Sequence, residues 1–210
     1  MTVFLVGASA GALAALLVAE YREAEWGRPV KMLASCGFIG VALASGAAQS
    51  GYGRWVLIAL GLSWFGDLLL TYRTPAAFLA GLVSFLLAHL GFVAAFLVRG
   101  VAWGATVMAA VTVGIVALMV WRWLRSHLDK RMRSPVVAYV VVISAMVAVA
   151  IGTVALKQGP MIVFGAVAFF SSDLAVARNR FVAAGFVNRA WGLPLYYLAQ
   201  MSLAGSTAFS

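Results

Sequence analysis

The chain has 210 residues, of which 64% are hydrophobic and 10% charged, and it carries a formal net charge of +9. Long apolar runs recur between short polar breaks, which excludes a water-soluble globular domain and predicts an all-α, polytopic transmembrane helix bundle, a single domain over residues 1–210. The single cysteine, Cys36, excludes an intramolecular disulfide and a cysteine-based metal cluster, and is expected as a small core residue.

A membrane span takes about 20 apolar residues. Eight segments approach that length, at about 3–19, 32–49, 55–72, 76–98, 101–121, 135–156, 160–177 and 191–209. The first has no basic residue before Arg22, so it lacks the charged start of a secretory signal and is read as the first span. The break that follows carries Arg22, Arg28 and Lys31. Span three holds Ser63 and Asp67 and is followed by Arg73; span four holds His89. The fifth break is a basic, tryptophan-flanked stretch with Arg122, Arg125, Lys130, Arg131 and Arg133, read as an interfacial element resting on anionic lipid head groups. Span six carries Tyr139. Span seven carries Ser172 and Asp173 and leads to Arg178, Arg180 and Arg189, and span eight carries Tyr196, Tyr197 and Gln200.

The even breaks hold only Arg54, Arg99 and Lys157. The positive-inside rule therefore puts the odd breaks in the cytoplasm and both termini outside, in a membrane of the bacterial plasma-membrane type. This distribution makes the bilayer, and not nucleic acid, the partner of the positive charge. The two histidines, His89 and His127, lie far apart on different segments, so no metal site is expected.

Asp67 and Asp173 are the acidic residues that fall inside apolar stretches. A carboxylate in the membrane interior costs a few kcal/mol, so each needs a reason. Counting the helical rise from Arg73 and Arg178 puts them about 9 Å and about 7–8 Å from the same side of the membrane. His89 and Gln200 are deeper. On helical faces, Ser63 stands one turn before Asp67, Phe169 aligns with Asp173 and Arg180, and Tyr196 and Tyr197 align with Gln200. Two plain structural readings remain open at this point. Each Asp could pair with an arginine from a neighbouring helix end, and His89 and Gln200 could simply tie helices together.

The order Gly61-Leu62-Ser63-Trp64-Phe65-Gly66-Asp67-Leu68-Leu69-Leu70, then Phe85-Leu86-Leu87-Ala88-His89, resembles the YhhN-like lysoplasmalogenase family. So do Phe169-Phe170-Ser171-Ser172-Asp173-Leu174 through Arg180-Phe181, and Tyr196-Tyr197-Leu198-Ala199-Gln200. The resemblance runs from about residue 28 to 206, with Tyr139 and Met146 at matching places in span six. It departs at Arg28-Pro29, where the family tends to have Lys-Pro, and at Gly91-Phe92, where a tyrosine is expected.

The resemblance implies hydrolysis of the vinyl ether of a lysoplasmalogen to a fatty aldehyde and a glycerophospho-ethanolamine or glycerophospho-choline, with a lysophospholipid as substrate and no cofactor. That reaction needs a proton for carbon and an anion to meet the oxocarbenium ion, as in glycoside hydrolysis. Two carboxylates facing one cavity would supply both. The expected roles are one aspartate as acid and the other as stabilising anion, Asp173 and Asp67 respectively or the two exchanged, with His89 and Gln200 positioning water or the glycerol hydroxyl. Arg28, Arg178 and Arg180 are expected at the lipid phosphate, with Ser63, Tyr139, Ser172, Tyr196 and Tyr197 completing the substrate site. The competing expectation is a proton-coupled transporter or lipid-binding protein that uses the same Asp pair.

Overall fold

The structure, a computed structural model, describes residues 2–72, 74–157 and 159–209, without the side chains of Thr2, Val3 and Lys157. Arg73, the depth marker for Asp67 above, lies outside the described residues. Eight long helices follow one another, with no strand among the described residues: α1 (Thr2–Tyr21), α2 (Gly27–Ala44), α3 (Gly51–Leu70), α4 (Pro75–Arg99), α5 (Trp103–Leu124), α6 (Lys130–Lys157), α7 (Pro160–Ala177) and α8 (Phe186–Gly205).

Local chemistry sets several of the ends. Ser50 and Thr74 cap α3 and α4 by accepting from the backbone N–H groups of Gly53 (3.0 Å) and Ala77 (3.2 Å), and Pro75 and Pro160 open α4 and α7 at positions where a missing N–H costs nothing. Gly100 ends α4 at φ 99°, which a side chain would resist. The turn after α7 is a π-helical piece, Arg178–Val182, closed by the Ala183 N–H on the Arg178 carbonyl (2.8 Å).

Among the described residues, six helices, α1 and α3 to α7, are long and apolar enough to cross a membrane. The chain is an integral membrane protein with a polytopic helical fold, so the expected count of about eight spans is slightly high by this measure. Helices α2 and α8 fall short because Arg28, Lys31, Asn188 and Arg189 lie inside them. The sequence placed the starts of these two helices several residues late, since hydropathy marks the bilayer and not the hydrogen-bonded ends.

The helices pack most closely as consecutive antiparallel pairs, α1 with α2, α3 with α4, α5 with α6 and α7 with α8. Small residues bring them together. A Cβ on Gly192 would meet the Ala175 Cβ at 2.5 Å, so α8 lies almost backbone-on-backbone against α7. The main core includes Phe38, Phe92, Phe96, Met146, Phe169 and Leu203. A separate cluster of Leu124, Leu128, Val136 and Val140, with Phe181 packed on it, sits at the base of α5 and α6. Helix α5 packs on α6 and is otherwise largely exposed. Cys36, expected in the core, is exposed on α2, because the buried face of that helix is the one carrying Ala34, Ser35, Phe38 and Val41.

Candidate active site

Asp67 is held near the end of α3, where Gly66 lets α4 approach; a Cβ there would meet the Phe85 ring at 2.6 Å. Its carboxylate is almost fully enclosed and surrounded by donors. Lys31 Nζ lies 3.0 Å from Oδ1, while Ser35 Oγ (2.7 Å) and Tyr196 Oη (2.6 Å) both donate to Oδ2. Tyr197 completes the cage from behind, donating to the Lys31 carbonyl (3.2 Å) and bonding Ser35 Oγ (3.2 Å). One cation and two hydroxyls occupy most of the lone pairs a carboxylate offers.

Asp173 on α7 has the opposite surroundings. Tyr139 Oη donates to Oδ2 (2.7 Å), and His89 Nε2 faces the same oxygen at 3.6 Å. No lysine or arginine among the described residues comes within ion-pair distance of it. The His89 Nδ1 is 2.6 Å from the Phe85 carbonyl, which makes Nδ1 the N–H donor and leaves Nε2 to Asp173. Any hydrogen bond between Nε2 and Oδ2 then requires one proton shared by the two groups. The Asp173 side chain is 18% exposed, against 3% for Asp67.

Both aspartates line one cavity of about 890 Å³. Its walls come from every helix except the far ends of the bundle: Arg28 and Lys31 from α2, Phe78 and Leu82 from α4, Val120 from α5, Tyr139 and Ile143 from α6, Ser172 from α7 and Tyr196 from α8. Arg180 and Asn179 stand at the rim, beside an ion pair between Arg189 of α8 and Glu20 of α1 (2.8 Å). Behind Asp173, outside the cavity lining, lies a group of packed rings. His89 lies 4.5 Å from Phe169 in a stacked arrangement, Phe169 is 6.2 Å from Phe92 and 5.5 Å from Tyr196, and His89, Phe92 and Phe169 are wholly buried.

Of the residues expected at the site, Asp67, Asp173, Arg28, Arg180, Tyr139, Ser172 and Tyr196 line this cavity. The others stand outside it. His89 is behind Asp173, and Tyr197 is behind Lys31. Ser63 spends its hydroxyl on the Ala59 carbonyl of its own helix (3.0 Å). Arg178 donates to Asn188 and ties the π turn to α8. Gln200 is wholly buried one turn beyond Tyr196. Sequence reasoning missed Lys31 and Ser35. Both were within reach, because Arg28, Lys31 and Ser35 follow a three–four spacing on one face of α2.

The family model described as the YhhN family matches residues 27–207. The chain belongs to the YhhN family. Members similar to it include proteins named lysoplasmalogenase from Mycobacterium bovis (strain ATCC BAA-935 / AF2122/97) and Mycobacterium tuberculosis (strain CDC 1551 / Oshkosh), each 39% identical over 153 residues, which is 69% of this chain and 55% of the relative. The chain thus spans about half the length of the curated relatives it matches. No solved structure matches it. The matched region of this YhhN-family chain contains both aspartates and their partners, from Lys31 to Tyr197, while Glu20 lies before it.

Proposed function

We propose that this chain hydrolyses the vinyl ether of a lysoplasmalogen, releasing a fatty aldehyde and a glycerophospho-ethanolamine or glycerophospho-choline. The observation that carries the reading is a pair of aspartates on one cavity with unequal surroundings, one caged as an anion and one left free to hold a proton. In the proposed reaction the Asp173 carboxyl gives its proton to the vinyl carbon distal to the ether oxygen, and the electron pair of the double bond forms the new C–H bond. The adjacent carbon becomes an oxocarbenium ion, whose charge the Asp67 carboxylate opposes. Water adds to it and its proton returns to Asp173. The resulting hemiacetal separates into aldehyde and the glycerol alcohol, its hydroxyl proton moving to the departing oxygen. One water is consumed and both aspartates end as they began.

His89 acts in this scheme through Asp173, as a positioning group fixed by the Phe85 carbonyl. Arg28, Lys31 and Arg180 face the phosphate, and Ser172, Tyr139 and Tyr196 line the reacting segment. Support also comes from the names of the relatives. The buried rings of Phe92 and Phe169 behind Asp173 support hydrolysis over transport, since transport of a cation needs a polar path that continues past them. The odd breaks are assigned to the cytoplasm on the same footing, with the cavity opening on that side.

The test is aldehyde release from lysoplasmenyl-ethanolamine by the purified protein in lipid nanodiscs. Release by the wild type and its loss in both Asp67→Asn and Asp173→Asn is the expected result. Full turnover by either variant would remove that aspartate from the chemistry, and proton-coupled flux in liposomes without aldehyde would replace the reading altogether.

A further inference from the structure

The geometry points to a lateral exit for the lipid chain: the alkenyl tail leaves the cavity sideways, between α4 and the α5–α6 pair, so that only its first carbons are enclosed. This inference rests on the proposed lysolipid site and concerns which part of the substrate the protein reads.

Three observations lead to it. The first is the core behind the cavity. Beyond Asp173 the bundle is filled by His89, Phe92, Met146 and Phe169, all wholly buried and none of them on the cavity wall, so a chain has no room to continue down the helix axes. The second is length. Tyr139, which holds Asp173, and Ile143, the deepest α6 residue on the cavity wall, are four residues apart. At the helical rise that leaves about 6 Å below the reacting atoms. A lipid chain that fills one leaflet spans about half of the roughly 30 Å hydrocarbon core, so most of it has no room inside.

The third is the side wall. Both the main core, through Phe85 and Tyr196, and the cluster at the base of α5 and α6, through Leu124, Val136 and Val140, contribute to the cavity wall. Phe78 and Leu82 of α4 line the cavity and belong to neither cluster, and Val120 and Val136 line it from α5 and α6. Helix α4 meets α6 further from the rim, where Thr153 Oγ1 donates to the Phe96 carbonyl (3.3 Å) and His89 touches the Tyr139 ring (5.2 Å). Helix α5 touches α4 only sparsely. The gap between them is therefore apolar, bounded at the rim by the Phe78–Phe181 ring contact (5.8 Å), with the Arg180 guanidinium 4.4 Å over Phe78. Outside the gap, the exposed face of α5 (Ile115, Leu118, Met119) is as apolar as lipid. A tail passing over Leu82 and Val120 goes from one hydrocarbon surface to another and leaves no polar group unpaired. The same path keeps the phosphate at the rim beside Arg180.

The consequence is a substrate read at its head and vinyl ether, with a chain that is anchored by the bilayer. It is tested with alkyl-ether lysophosphatidylethanolamines, which lack the vinyl bond and are not turned over, bearing a photoreactive diazirine either next to the ether or at the chain end. In nanodiscs, the near-ether probe is expected to label α6 and α7 around Tyr139, and the chain-end probe to label Leu82, Val120 and bilayer lipid. Chain-end adducts on Phe92 or Met146, or on α1 and α8, would overturn the lateral path, as would the absence of any cavity adduct from the near-ether probe. In addition, Val120→Trp should weaken a sixteen-carbon analogue at least about tenfold more than a six-carbon one, a difference of about 1.4 kcal/mol; equal weakening of both overturns the proposal. The readouts are independent of turnover. The expected labelling together with no aldehyde release from a true lysoplasmalogen would leave the lateral path standing and remove the hydrolase reading alone.

Discussion

Replacing Asp173 by asparagine keeps an acceptor for the Tyr139 hydroxyl and removes the transferable proton. On the proposed reading, turnover of a lysoplasmenyl substrate falls by about 10²–10⁴-fold while the melting temperature hardly moves, which an aldehyde assay and a thermal scan on the same sample would report. Lys31 predicts a different signature. Lys31→Met leaves the enclosed Asp67 carboxylate without its cation, and loss of one partner of a buried pair costs about 3–5 kcal/mol. The double variant Lys31→Met/Asp67→Asn should regain much of that stability and none of the activity; if the double is no more stable than the single, the pair is not what holds this corner. At this scale the sequence was half legible. Two carboxylates in apolar runs announced themselves through their cost. Their partners did not, because Lys31 lay outside the hydropathy window and was counted with a break, whereas the helix begins at Gly27 and carries Lys31 one turn before Ser35.

The elements were legible where apolar length alone decides, as for α3 to α7, and less so where polar residues enter a helix for a purpose. Helices α2 and α8 supply Lys31, Ser35 and Tyr196 to Asp67, and that content lowers the very hydropathy by which a span is found. Arg178, expected at the phosphate, shows a related effect: a basic residue after a span reads as a mouth residue, whereas the π turn directs it to Asn188 and puts Arg180 on the cavity wall. Close helix contact at Gly192 gives the prediction proper to this scale. Gly192→Leu has no space beside Ala175, whose Cβ is fixed to backbone and cannot turn away. The variant should lose at least about 1–3 kcal/mol, seen as a lower melting temperature in detergent, and should displace Ser172 and Asp173 enough to reduce turnover as well.

For the whole molecule, charge placement predicts that Ser126, in the basic stretch between α5 and α6, faces the cytoplasm. In a Cys36→Ser background, Ser126→Cys should react with a membrane-impermeant maleimide only after the cells are opened; reaction in intact cells would invert the topology. The general architecture, an all-helical bundle with its polar residues gathered toward one side, follows from hydropathy and from the positions of Asp67, Asp173 and the arginines. Which polar residues share a cavity does not follow, since Ser63, Tyr197 and Gln200 have the same helical spacing as residues that reach it and differ only in helix rotation. Helix contacts set that rotation, and a single sequence carries them weakly.

The layer of rings beneath Asp173 also divides the molecule by what each part will tolerate. On the rim side, the proposed reading makes charge, donor count and reach all matter, so even an Asp-to-Asn change should be felt. On the far side, Phe92, Phe96, Met146 and Leu203 are wholly buried and do not line the cavity. Replacements that conserve volume there, such as Met146→Leu, should cost less than about 1.5 kcal/mol and leave the chemistry alone. Drift among relatives would then be free in one half of the bundle and confined in the other, with the border running through His89 and Phe169.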